Sequence, residues 1–143
     1  MKYFGKIVFV FLLLAISTSS FSQSITGVWK TISDKDQLEK SHIEIYEEDG
    51  LFFGKVIKLL DKSLEICKKC KGEKKDQHLV GLTILEHLSK SDDIWKDGRV
   101  LNPSSGKTYE CFLELENENT LKVRGFVGIP AIGRTQYWYR VNG

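Results

Sequence analysis

Cys67 and Cys70 flank two lysines in the run Cys67-Lys68-Lys69-Cys70-Lys71-Gly72-Glu73-Lys74-Lys75, and no other pair in this chain is as chemically suggestive. With His42, His78 and His87 they make up a stock of soft metal ligands. A structural zinc centre wants four tetrahedral ligands, usually in two close pairs. Cys67, Cys70, His78 and His87 reach four on paper, but the spacing is irregular and there is one Cys-x-x-Cys pair, so no metal and no cofactor are assigned. A thioredoxin-type redox role wants the first cysteine at a helix N-terminus. Here the motif sits between strand-like runs, so a redox role stays open behind a disulfide that staples the loop.

Cys111, the third cysteine, alternates with Leu113 and Leu115 on one face of a strand whose other face carries Glu110, Glu114 and Glu116. An unpaired cysteine on an apolar face behaves as a small hydrophobe. No base pattern accompanies it, and no histidine has a carboxylate at an informative spacing. Ser104-Ser105 reads as a turn rather than a strained elbow, and Glu47-Glu48 and Asp92-Asp93 are neighbours that point apart and read as solvated turns. No catalytic residue is assigned.

The most informative polar set is C-terminal. Alternation puts Arg134, Gln136, Trp138 and Arg140 on one strand face, opposite Thr135, Tyr137 and Tyr139. Facing inward, they would give a barrel end two guanidiniums and an amide, suited to forked hydrogen bonds with a carboxylate or another anionic head group. Arg134, Gln136 and Trp138, with Arg124 of the preceding strand, are the ligand-binding candidates. Arg140 reads as structural, stacked on a ring or closing the barrel end.

These side chains need a β scaffold. Short β-rich runs recur near Gly27–Ile32, 41–46, 52–60, 79–85, 95–101, 108–115, 121–127 and 135–141. Turn residues stand at Glu48-Asp49-Gly50, Lys96-Asp97-Gly98, Asn102-Pro103-Ser104-Ser105-Gly106 and Asn117-Glu118-Asn119. The pattern predicts an all-β, antiparallel, roughly eight-stranded barrel, since closing an up-and-down meander removes its exposed edges. One segment is ambiguous: Leu82, Leu85 and Leu88, with Ile84 beside them, also fit a short helix over residues 81–90 at a barrel mouth.

At 143 residues the chain suits one domain able to bury a core without metals. Met1-Lys2-Tyr3-Phe4-Gly5-Lys6, the apolar run Ile7 to Ile16 and the small residues through Ser22 read as a signal peptide over 1–22, cut between Ser22 and Gln23, leaving a domain over 23–143. The apolar run is far short of the roughly 20 residues that span a bilayer, so no transmembrane anchor is expected after cleavage. Export means a periplasmic or secreted protein and an oxidising compartment, where Cys67 and Cys70 pair with each other. Of 21 Lys and Arg, Lys2 and Lys6 leave with the leader, so 19 basic residues face 19 acidic ones. A neutral chain has no field to attract nucleic acid, and the lysine-dense loop lacks aromatics or arginines that would stack on bases.

Several runs resemble a bacterial family known as domain of unknown function 2147, small exported proteins with a lipocalin-like barrel. They are Gly27-Val28-Trp29-Lys30, Ile45-Tyr46, Gly54-Lys55-Val56, Cys67-Lys68-Lys69-Cys70 and Gly81-Leu82-Thr83-Ile84-Leu85. The last third adds Asn102-Pro103, Gly106-Lys107-Thr108-Tyr109, Leu121-Lys122-Val123-Arg124-Gly125 and Gly133-Arg134-Thr135-Gln136-Tyr137-Trp138-Tyr139-Arg140. The chain departs from the family at its first turn, where Asp36-Gln37-Leu38-Glu39 replaces a glycine-containing hairpin. The resemblance implies the fold and the compartment and no reaction. It also implies that Gly27, Trp29 and Arg140 are structural, the arginine crossing the first-strand indole within about 6 Å of its centroid. The function that follows is a non-enzymatic exported barrel binding a small, partly apolar or anionic ligand or serving envelope maintenance. The alternatives are an envelope protein–protein interaction module and, behind it, an enzyme with an unrecognised site.

Overall fold

The computed structural model describes residues 23–142; the leader read over 1–22 lies outside the described residues. Eight strands follow one another around a closed antiparallel barrel: β1 Gly27–Ile32, β2 Glu39–Glu48, β3 Leu51–Leu59, β4 Thr83–Ser91, β5 Ile94–Asn102, β6 Lys107–Asn117, β7 Thr120–Phe126 and β8 Gly133–Arg140. Each pairs with the next in sequence, and β8 returns to β1 through Trp29↔Arg140 and Lys30↔Tyr139. Asp49 and Gly50 both take positive φ, 51° and 80°, the backbone of a tight hairpin matched to strand twist.

Three local expectations are corrected. The segment over 81–90 is strand rather than helix, and the fourth strand starts at Thr83 rather than Leu79. His87, at φ 59°, marks a local departure from strand geometry, so Leu85 and Leu88 both face the interior fully buried. That irregularity produces the three-residue leucine spacing that resembles a helix stripe. Lys96-Asp97-Gly98 is likewise not a connection: it lies within β5, where the register to β6 shifts, and the true turn runs through Asp92-Asp93. Glu47 and Glu48 end β2 rather than forming a turn.

Alternation sends Trp29, Ile43, Ile45, Phe52, Leu113, Leu121 and Trp138 into one continuous core. Cys111 is buried among them and unpaired. The two barrel ends differ. Tight turns between β2 and β3, β4 and β5, and β6 and β7 share one end with residues 23–26, while the other end carries the longer connections 33–38, 60–82, 103–106 and 127–132.

Candidate functional site

The tight-turn end is plugged. Trp29, fully buried, donates its indole N–H to the Ile25 carbonyl at 2.8 Å. Arg140 lies over its ring, donating from Nη1 to Thr26 O at 3.0 Å, Nη2 to Ser24 O at 3.0 Å and Nε to Glu118 O at 2.9 Å. Gly27 permits this approach: its φ is +125°, and a Cβ there would sit 2.9 Å from Arg140 Nη1.

The long-loop end is the mouth, and β8 delivers Arg134 and Gln136 to it. Strands rise about 3.3 Å per residue, so Arg134 and Arg140, six residues apart, stand at opposite barrel ends. The two guanidiniums therefore do not share one site. Arg134 Nη2 pairs with Asp34 of the 33–38 loop, and Gln136 Nε2 approaches the same Asp34 Oδ2 at 3.5 Å. Arg134 stays well exposed, its side chain 69% accessible, leaving part of the guanidinium fork open to solvent. Gln37, at φ 62°, takes the left-handed position in that loop, which Leu38 N closes on Asp36 Oδ1 at 3.0 Å.

Arg124 leaves the candidate set. Its neighbours Leu121 and Val123 point inward, so it faces out. There it donates to Pro130 O from Nη2 at 2.9 Å and from Nε at 3.1 Å, and from Nη1 to Thr135 Oγ1 at 3.0 Å. It pins the 127–132 turn. Trp138 is 3% exposed and belongs to the core, opposite Leu121 and nearer the plugged end than the mouth. Its Nε1 and that of Trp95 have no hydrogen-bond partner, an arrangement that costs about 1–3 kcal/mol per buried donor.

Sequence reasoning passed over the apolar rim. Leu38 and Val127 are each 64% exposed, Ile132 63%, Ile129 55% and Val80 51%, and all lie in mouth connections. The available signal was Val127-Gly128-Ile129-Pro130-Ala131-Ile132, a connection with three large aliphatic residues where polar ones are usual.

Cys67 and Cys70 form a disulfide, Cα–Cα 5.4 Å, and each is 2% exposed. The histidines do not gather around them: His78 bridges Ile66 through its backbone, His87 packs on Phe53 at 5.2 Å, and His42 meets Glu39 Oε1 at 2.5 Å. Among the described residues no group of three or more His, Cys, Asp or Glu could hold a metal. Burial pushes the Cys111 thiol up to about 12, unsuited to a thiolate nucleophile at neutral pH.

Residues 27–140 match the family described as "Uncharacterized protein conserved in bacteria (DUF2147)". The chain belongs to this family. The DUF2147 barrel also superposes on a solved Helicobacter pylori protein whose description places it in the lipocalin family, with TM-score 0.74, 22% identity and 85% of each chain covered. That likeness establishes the lipocalin-like fold. No curated protein matches the chain. Among its described residues no helix is long and apolar enough to cross a membrane.

Proposed function

We propose that this protein is an exported barrel that holds a small amphipathic ligand at its mouth, the anionic head against Arg134 and Gln136 and the apolar body across the rim. The observation that carries this reading is the placing of a largely exposed guanidinium and of exposed Leu38, Val127, Ile129 and Ile132 at the same barrel end, opposite the Trp29–Arg140 plug. A ligand carboxylate would replace Asp34 as the fork's partner, a near-even exchange of one exposed ion pair for another. Covering the aliphatic rim then supplies the net gain, about 25 cal/mol for each Å² of apolar surface removed from water. The signal-like pattern of residues 1–22 and a disulfide suited to an oxidising compartment support export to the periplasm or beyond.

Native mass spectrometry of the protein recovered from the envelope of the cells that make it tests the reading. A retained small molecule, lost in Arg134→Gln, supports it. The same rim would also suit an envelope protein partner, and a co-purifying protein with no small molecule would favour that second reading.

A further inference from the structure

Ile84 and Leu101 sit on strand faces that point away from the barrel, beside Glu86, Arg99 and Thr108, yet they are only 6% and 5% exposed. The excursion over residues 60–82 folds back against the outer wall and covers them, clamped by the disulfide and seated on Gly106. It does not close down completely. A crevice of about 350 Å³ remains between loop and wall, with Ile84 and Leu101 in its lining, and it shares Lys71, Lys74, Leu101 and Thr108 with an adjoining space of about 630 Å³ that reaches Lys107, Tyr109 and Val127.

The charges around this crevice are unbalanced in one sense. Lys74 is committed, donating to Glu86 Oε1 at 2.5 Å and to Thr83 O at 3.0 Å, and so it neutralises one of the crevice's two carboxylates. Lys71, Arg99 and Lys107 make no ion pair among the described residues. Glu73 is the other acid in the lining, and Glu110, opposite Arg99 in the β5–β6 register, does not pair with it. Arg99 stands on β5 in the crevice lining and Lys71 follows directly on the disulfide, whereas Lys107 shares the face of β6 that carries Cys111 and lines only the adjoining space. Lys71 and Arg99 thus flank a largely desolvated aliphatic surface.

We propose that this crevice binds a small anionic amphiphile, its phosphate or carboxylate held by Lys71 and Arg99 and a short apolar tail lying on Ile84 and Leu101. The site lies on the outer wall, away from Arg134 and Gln136, and does not depend on the ligand proposed there. An anion would give these two unpaired cations a partner, and the arginine supplies a forked donor that lysine lacks. The tail would extend cover over apolar surface the loop has already partly dried.

Decyl phosphate below its micelle concentration, decanol and inorganic phosphate serve as probes, with binding followed by backbone amide shifts and calorimetry. Decyl phosphate is expected to bind, shifting Lys71, Arg99 and Thr108, more tightly than either other probe. Arg99→Gln with Lys71→Gln, both exposed positions, should weaken it about tenfold or more while Arg134→Gln leaves it unchanged. Decyl phosphate that shifts only the mouth loops, affinity insensitive to the double variant, or inorganic phosphate binding as tightly as decyl phosphate would each overturn the proposal. So would no binding by any probe to the folded protein.

Discussion

The guanidinium carbon of Arg140 lies 4.2 Å from the centroid of the Trp29 indole, and the two residues are cross-strand partners where β8 meets β1. That seam is thin: its register runs through Trp29↔Arg140 and Lys30↔Tyr139, extended by Val141 N to Val28 O at 2.9 Å. One side chain therefore combines a stacked cation with hydrogen bonds to the carbonyls of Ser24, Thr26 and Glu118, which ties the N-terminal segment and the β6–β7 turn to the closing strands.

Arg140→Lys should cost about 1–3 kcal/mol, because an ammonium keeps the charge but loses the planar stack and part of the donor set. Urea unfolding reads the loss as a lower midpoint. Ligand binding at the mouth should survive in the folded fraction, and an unchanged midpoint would show that the seam does not rely on the stack.

Thiol titration of the denatured protein should return one free thiol per chain, Cys111, with Cys67 and Cys70 paired. In the native state Cys111 should resist alkylation at neutral pH. Its folded pKa of about 12 lies above the ordinary value of 9.0, so between those limits the unfolded chain loses this proton first. Stability from this group is intact below pH 9 and falls as pH rises towards 12. Cys111→Ala should flatten that part of the stability profile.

Gly98→Ala tests the fit of the β5 irregularity against Leu88. A Cβ at Gly98 would lie 2.6 Å from Leu88 Cγ and 2.7 Å from the Glu86 carbonyl oxygen. Overpacking of this kind costs about 1–3 kcal/mol or more. Leu88→Ala in the same chain should recover part of it, and strictly additive losses in denaturant melts would separate the two residues energetically.

Gly106→Ala should loosen the stapled loop while leaving the barrel folded. Its φ is +72°, and an added Cβ would fall 1.8 Å from the Lys69 carbonyl oxygen, so the Cys67–Cys70 segment must move off the β5–β6 connection. The disulfide, 2% exposed at each cysteine in the native loop, should then be reduced faster by dithiothreitol under native conditions. Equal reduction rates would show that Gly106 does not seat the loop.

Much of the architecture was legible in the residues themselves. Period-two alternation such as Cys111, Leu113 and Leu115 against Glu110, Glu114 and Glu116 reports burial directly, and Asp49-Gly50 reports a positive-φ turn that suits a tight hairpin. Eight such runs in an up-and-down order leave few ways to bury one face. The sequence by itself also determined the cysteine pairing, since adjacent loop thiols need only proximity and an oxidising surrounding.

Only the tertiary structure decided the rest. A bulge leaves no signature in a one-dimensional pattern except a broken period, so Leu82, Leu85 and Leu88 looked helical until β3 and β5 imposed strand pairing on both sides. Arg124 and Arg134 belong to equally plausible alternating sets, and the face each takes depends on which neighbours reach the core. The separation of Arg134 from Arg140 follows from strand length, which puts one guanidinium at the mouth and the other at the plug. The rim and the outer crevice arise from loops meeting strands far away in sequence, as when Asp34 reaches Arg134 and Lys74 reaches Glu86. Such contacts depend on the packing of loops against the finished barrel, because no local preference of either partner encodes them.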